Sequence, residues 1–291
     1  MLGGMAHLVN FMGTDTAEAL EAVMEYYNTE DVVGSSIPAS EHSSITSWGR
    51  ENETAACSNM IDKFAGEGKL YACVSDSYDI YNAVANIWGK ILREKILRLK
   101  GTLVVRPDSG DPKMVPVDVL RMLDEAFGYT INKKGYKVLN SAVRVIQGDG
   151  LNEVTMPILI DNVKKAGFSL ENIAFGMGGG LLQAWNRDSL KYAMKTSARK
   201  DSNGVWHDVY KDPVTDPGKT SKKGRLGLIL DVGIGSKKIR TVPKDVADKR
   251  GNLLRVVYVD GTLFNEVDFY EVRKNAAMSV EEYAPSIPER Y

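Results

Sequence analysis

An alternation running through residues 1 to about 190 constrains the fold more than any other feature. Short runs rich in β-branched residues are each followed by a longer stretch with helical spacing of its apolar side chains. This pattern predicts strands at His7-Phe11, Leu70-Ser75, Thr102-Arg106, Val143-Gln147 and Ile173-Gly176. It predicts helices near Thr16-Tyr27, Glu53-Ala65, Tyr78-Arg98, Pro116-Phe127 and Met156-Ala166. Repeated strand-helix units imply a parallel sheet, and right-handed crossovers wind it into a barrel or an open doubly wound sheet. The polar residues favour the barrel. Nearly every expected strand ends in small and ionisable residues: Asn10-Phe-Met-Gly-Thr-Asp-Thr16, Ser75-Asp-Ser-Tyr-Asp79, Arg106-Pro-Asp-Ser-Gly-Asp-Pro112, Gln147-Gly-Asp-Gly150 and Gly176-Met-Gly-Gly-Gly180. Chemistry repeated at the carboxyl ends of successive strands is the organisation of a (β/α) barrel, whereas an open sheet gathers it at one crevice.

The texture changes after Arg187. Val205-Tyr210, Gly224-Leu230, Ile239-Val242 and Leu253-Val259 are short strand-like pieces between Gly, Pro, Asp and Lys turns, and Asp260-Gly261 is a hairpin signal. The expected organisation is therefore α/β: a partial barrel over residues 1–190, then a smaller, mainly β domain over residues 191–291 that ends in a helix near Phe269-Ala277. Charge follows the same division. The whole chain of 291 residues has 37 Lys+Arg against 38 Asp+Glu, yet Lys191 to Arg255 holds 16 Lys/Arg against 7 Asp and no Glu. A basic third on an otherwise acidic chain suggests an anionic ligand, although runs such as Lys219-Thr-Ser-Lys-Lys-Gly-Arg225 also suit solvated loops. Aromatics are not interleaved with the basic residues, which argues against nucleic acid.

The composition, 43% hydrophobic and 26% charged, excludes disordered, collagen-like and coiled-coil classes. No apolar run reaches the roughly 18 residues of a membrane span, and Met-Leu-Gly-Gly-Met-Ala-His lacks the basic start of a signal peptide, so a cytoplasmic location is expected. Cys57 and Cys73 are too far apart for a CxxC motif and are expected to be buried, reduced thiols.

Several loop residues have the chemistry of a site. Gly176-Met-Gly-Gly-Gly180 runs into a helix-like stretch, where glycine lets backbone N–H groups approach a phosphate closely. A tight steric turn is the competing role. Asp149, between Gly148 and Gly150, is a short carboxylate able to accept hydrogen bonds from sugar hydroxyls, or simply to stabilise a turn. Arg106 and Asp108 flank Pro107 at a strand end, where an arginine can grip phosphate or carboxylate and the aspartate can orient a base. His42 lies in the polar loop Ser35-Ser-Ile-Pro-Ala-Ser-Glu-His-Ser-Ser44, beside Glu41, which is able to orient the ring. Metal-ligand spacing is absent, so no protein-held metal is expected, and a divalent ion would arrive with a phosphorylated substrate.

Taken together, GTDT, IPASEHSSITSWG, VSDSYDIYN, RPDSGDP, RVIQGDG, ENIAFGMGGGLLQ and KDPVTDPGKTSKKGRL closely resemble, in order, the nicotinamide phosphoribosyltransferases of the type II phosphoribosyltransferase family. The resemblance runs from about Ala6 to Ala277. It implies an irregular α/β barrel packed on a second domain, a homodimer, and condensation of nicotinamide with 5-phosphoribosyl-1-pyrophosphate to nicotinamide mononucleotide and diphosphate. It also implies Mg²⁺ carried with the diphosphate substrate, and ATP as a coupled substrate that transiently phosphorylates His42. By the same resemblance Asp15 binds the nicotinamide carboxamide and disfavours the acid, and Ser36 belongs to the substrate site. Arg106 lines the base and ribose-phosphate site, Asp108 pairs with His42, Gly148 and Asp149 hold ribose hydroxyls, and Gly178 and Gly179 take the 5′-phosphate. Arg187, Lys195 and Lys211 match basic residues that meet the diphosphate across the dimer interface.

Members of the family continue well ahead of the point that matches Met1. The resemblance implies that an aromatic pair around the pyridine ring and a phosphate-binding arginine lie in that earlier part. The resemblance therefore leads one to expect a truncated member, or one working with a separately encoded N-terminal half. The alternative classes are a non-catalytic nucleotide or phosphosugar binder and a nicotinate-specific enzyme, whose acid substrate suits Asp15 poorly.

Overall fold

The computed structural model describes residues 1–184, 186, 194–215, 217–233 and 236–283. The chain divides into two compact units: Ser35–Trp185, and Met1–Gly34 together with Asn186–Tyr291. The sequence pattern placed the first residues with the strand-helix part, whereas the compact units group them with the C-terminal third.

The discontinuous unit begins with α1 (Leu2–Leu8) and α2 (Ala17–Tyr26). The strand expected at His7-Phe11 is instead the end of α1 and the turn after it. Backbone bonds from Val9 and Asn10 return to Ala6 and His7, and Phe11 is exposed, so no strand pairing is available. The expected helix at Thr16-Tyr27 matches α2.

In the continuous unit, α3 (His42–Thr46) and α4 (Glu53–Phe64) precede β1 (Leu70–Val74). The short α5 (Ile80–Asn82) opens on Asp79, whose carboxylate accepts the amides of Tyr81 and Asn82. It continues through a π-helical turn, Ala83–Ile91, into α6 (Arg93–Leu99). Next come β2 (Thr102–Arg106), α7 (Val115–Phe127), the hairpin β3 (Tyr129–Ile131) and β4 (Lys137–Leu139), β5 (Val143–Gln147), α8 (Thr155–Lys165), β6 (Ile173–Phe175) and α9 (Gly179–Leu182). Pro at the start of α7 suits a first turn whose amides need no helical partner.

Strands β1, β2, β5 and β6 form a parallel sheet in that order. Each crossover carries a helix, as parallel neighbours require. Segment 38–40 runs alongside β1: the amide of Ser40 donates to Ala72 O, and that of Ala72 to Pro38 O. One sheet face is covered by helices. Tyr71, Cys73, Leu103, Val105, Val143 and Val145 share a core with Cys57, Ile61, Trp88, Leu120 and Leu123. Trp88, fully buried, has its Nε1–H bonded to Ser75 Oγ, which ties the π-helical turn to the end of β1. Cys57 and Cys73 are free and buried, as the sequence predicts. The neighbouring Cys73, together with burial, pushes the Cys57 thiol up from its ordinary value.

The discontinuous unit resumes with antiparallel pairs: β7 (Ala198–Lys200) with β8 (Trp206–Asp208), and β9 (Leu226–Gly233) with β10 (Ser236–Pro243). After α10 (Lys244–Lys249), β11 (Tyr258–Val259) pairs with β12 (Thr262–Leu263) across Asp260-Gly261, the predicted hairpin. Leu253–Val257, expected to be strand, has no strand partner among the described residues. The last helix is α11 (Phe269–Tyr283). Phe269 packs with Leu8, Ala19, Val23 and Val33, and Arg273 donates to the carbonyls of Leu8 and Val33 at 2.9 and 2.6 Å. These contacts hold the first 34 residues in this unit. No described helix is long and apolar enough to cross a membrane.

Candidate active site

Within the continuous unit, the segments leaving the carboxyl ends of β1, β2, β5 and β6 meet at one edge of the parallel sheet. His42 opens α3 just after the segment beside β1. Glu41, considered in the sequence as an orienter of the ring, instead caps α3: its side chain accepts the Ser44 amide, and Ser44 Oγ accepts the amide of Glu41 at 3.1 Å. The ring is held by Asp76. His42 Nε2 lies 3.0 Å from Asp76 Oδ1, while Nδ1 lies 4.0 Å from Asp108 Oδ2. The expected Asp108 pairing is thus the longer of two contacts.

Asp76 is 4% exposed and His42 45%. The second oxygen of Asp76 accepts the backbone amide of Asp108 at 3.1 Å, so this carboxylate joins the β1 and β2 loops. Burial pushes the Asp76 carboxyl up, but hydrogen bonds from Ser109, His42 and the Asp108 amide outweigh it and hold the group below its ordinary value. Asp76 is a residue that sequence reasoning did not assign. Its position directly after β1, within Ser75-Asp-Ser-Tyr-Asp79, was the available signal.

Arg106 ends β2 with its guanidinium 3.6 Å from Asp108 Oδ2, and its buried Nε has no hydrogen-bond partner. Gly148 stands against this pair: a Cβ there would lie 3.4 Å from Asp108 Oδ1 and 3.9 Å from Arg106 Cδ. Gly176 approaches in turn, with the place of its missing Cβ 3.2 Å from Gly148 Cα. A Cβ at Gly176 would press on the β5 loop backbone, whereas one at Gly148 would be in ordinary contact with the Arg106–Asp108 pair. Asp149 is exposed beyond Gly148. Gly178 precedes α9 and Gly179 begins it, so the glycine run does lead into helix, although a short one.

The structure therefore brings together His42, Arg106, Asp108 and Gly148, with Asp149, Gly178 and Gly179 on adjoining loops. Ser36 lies in the same unit, exposed, with Oγ donating to Ile37 O. Asp15, Lys195 and Lys211 belong to the other unit and are exposed. The Lys211 amide is tied to Ser221 Oγ at 2.9 Å. Arg187 lies outside the described residues. Among the described residues, no group of three or more His, Cys, Asp or Glu side chains is arranged to hold a metal ion.

A profile of the nicotinate phosphoribosyltransferase (NAPRTase) family matches residues 2–262. The chain belongs to the nicotinate phosphoribosyltransferase family. It is 50% identical over 278 residues to the nicotinamide phosphoribosyltransferase of Xanthomonas campestris pv. campestris (strain 8004), covering 94% of this chain and 58% of that protein. Similar proteins of the same name occur in Mycoplasma pneumoniae, 36% identical with coverage of 76% and 49%, and Acinetobacter baylyi, 30% identical with coverage of 97% and 59%. The chain thus spans about half to three-fifths of the length of these relatives. Within the family's mixed α/β framework, the parallel sheet is the element that carries the His42 cluster.

Proposed function

We propose that the chain handles phosphoribosyl transfer to nicotinamide, forming nicotinamide mononucleotide and diphosphate for NAD salvage. The observation that carries this reading is the His42–Asp76–Asp108–Arg106 cluster at the carboxyl edge of a parallel sheet, in a chain of this family. In this reading the sheet is a sector of the irregular type II barrel, and the discontinuous unit is part of the second domain of a cytoplasmic homodimer.

Displacement at the anomeric carbon has oxocarbenium character, so the site must hold the amine opposite a leaving diphosphate and stabilise charge on both. Arg106, with a free Nε donor, takes an anionic oxygen of the phosphoribosyl group. Asp149 accepts ribose hydroxyls, and the amides at Gly178 and Gly179 face the 5′-phosphate. Asp15 accepts the carboxamide N–H, Ser36 adds a polar contact, and Arg187, Lys195 and Lys211 neutralise the diphosphate. Mg²⁺ suits this donor set only as a substrate-borne ion: it retains phosphate and water oxygens and needs at most one or two carboxylates. Asp108 and Asp149 are the available ones. Bound there, it would spread the charge of the leaving group.

In this reading His42 is the phosphoryl acceptor. An ionised Asp76 can only accept, so it keeps the proton on Nε2 and leaves the Nδ1 lone pair of the neutral ring for the γ-phosphorus of ATP. The Nδ1–P bond forms as the bond to the β–γ bridging oxygen breaks and ADP departs. Asp76 compensates the cationic phosphoimidazole. The test is mononucleotide synthesis with and without ATP. His42→Ala should abolish acid-labile protein phosphorylation from γ-labelled ATP and most ATP stimulation, while some basal synthesis persists; equal stimulation in variant and parent would overturn the assignment.

A further inference from the structure

Gln147 occupies a place where the fold calls for an apolar side chain. Along β5 the buried positions are Val143, Val145 and Gln147, while Arg144 and Ile146 are only partly buried, so the amide continues a row of core valines. At 2% exposure, a primary amide there is unfavourable unless its hydrogen bonds compensate. One does: Nε2 donates to the carbonyl of Asp149 at 2.7 Å. That carbonyl requires a donor, which fixes the amide's orientation and leaves Oε1 as a buried acceptor without a partner. The backbone oxygen of the same residue accepts the Gly176 amide at 2.8 Å. A single residue thus fastens the Gly148–Gly150 loop on one side and the start of the Gly176–Gly180 loop on the other.

We propose that Gln147 is a positioning residue for phosphoribosyl binding, holding the ribose-facing and phosphate-facing loops in register. This rests on the function proposed above. The Asp149 carboxylate is exposed, so its direction is set by its backbone, and its neighbours are two glycines, with Gly150 at φ +68°. Such a segment has wide conformational freedom unless anchored, and the Nε2 bond to the Asp149 carbonyl is the anchor. Arg106 and Asp108 meet the loop across Gly148, so the anchor also sets how closely these charges approach Asp149.

Two near-isosteric variants test this. Gln147→Met keeps the volume and removes the donor. Gln147→Glu can donate only while protonated and repels the Asp149 carbonyl once ionised. The readouts are calorimetric affinity for 5-phosphoribosyl-1-pyrophosphate from pH 5 to 8, and amide hydrogen exchange across residues 148–151 without ligand. Gln147→Met should weaken binding about tenfold at every pH and speed exchange by a similar factor, with nicotinamide affinity unchanged. Relative to the parent at each pH, Gln147→Glu should bind nearly as well at low pH and lose affinity as pH rises, a loss additional to the parent's own titration of phosphate and imidazole groups. A profile for Gln147→Glu parallel to the parent's, together with parental binding and exchange for Gln147→Met, would overturn the proposal. Absence of binding by the parent would refute the functional reading instead, and the exchange comparison would still decide whether Gln147 anchors the loop.

Discussion

Asp76→Ala removes an acceptor shared by three donors: the His42 ring, the Asp108 amide and the Ser109 hydroxyl. A hydrogen bond to a buried ionised group contributes about 1.5–3 kcal/mol net. The His42 share must be discounted, because that side chain is 45% exposed and water can replace the lost partner. Ser109 is exposed and its share is discounted likewise, so the part-buried Asp108 amide carries most of an expected loss of about 1.5–3 kcal/mol. Asp76→Asn keeps one acceptor oxygen but turns N–H groups toward a donor, and should cost about 1–2 kcal/mol. The folded carboxyl titrates below its ordinary value, so its contribution is complete above the unfolded pKa of about 3.9 and is lost as pH falls through the lower folded pKa. Urea unfolding of parent and Asp76→Asn between pH 7 and pH 3 should therefore show a stability difference that narrows at the acid end. A constant difference would mean that shape, not charge, holds the loops, and a difference below about 0.5 kcal/mol at pH 7 would refute the reasoning outright.

Asp15→Asn should narrow the preference for nicotinamide over nicotinate, read as the ratio of kcat/KM for the two substrates; an unchanged ratio would count against Asp15 as the carboxamide acceptor. Gly148→Ala places a Cβ at ordinary contact distance, 3.4 Å from Asp108 Oδ1, so the fold should keep its melting temperature while affinity for 5-phosphoribosyl-1-pyrophosphate drops about tenfold. A parallel fall in melting temperature would assign the glycine to packing instead. Gly89→Ala, in the π-helical turn, would bring a Cβ within 2.8 Å of the Val84 carbonyl and 3.0 Å of Ala126 Cβ, and should cost about 1–3 kcal/mol in chemical unfolding without a specific change in ligand affinity.

The parallel strands were legible because each needs only its own composition: Thr102–Arg106 and Val143–Gln147 are short β-branched runs bounded by turn residues. Helices such as Val115–Phe127 were legible for the same local reason, an apolar stripe with proline at its start. His7-Phe11 and Leu253–Val257 have strand-like composition too, but a strand needs a continuous ladder: His7-Phe11 turns back on its own helix, and Leu253–Val257 makes only isolated backbone bonds, from Leu253 to Leu228 O and from Phe264 to Val257 O. The π-helical widening at Ala83–Ile91 leaves no local signature; it accompanies the packing of Gly89 against Ala126 and of Trp88 over Ser75.

The same contrast governs the site. The sequence by itself determined which residue types gather at strand ends, since a turn after a buried strand accepts small and ionisable groups and their order follows the chain. It singled out Arg106, Asp108 and Asp149 on that basis, and His42 from the polar loop that precedes a helix. Only the tertiary structure decided that Asp76, 34 residues from His42, holds the imidazole, that Asp108 stands farther off, and that Gln147 fastens two loops. Hydrogen bonds of a few ångströms between residues distant in sequence depend on strand register and loop path, and those are fixed by packing of the whole sheet rather than by any local pattern.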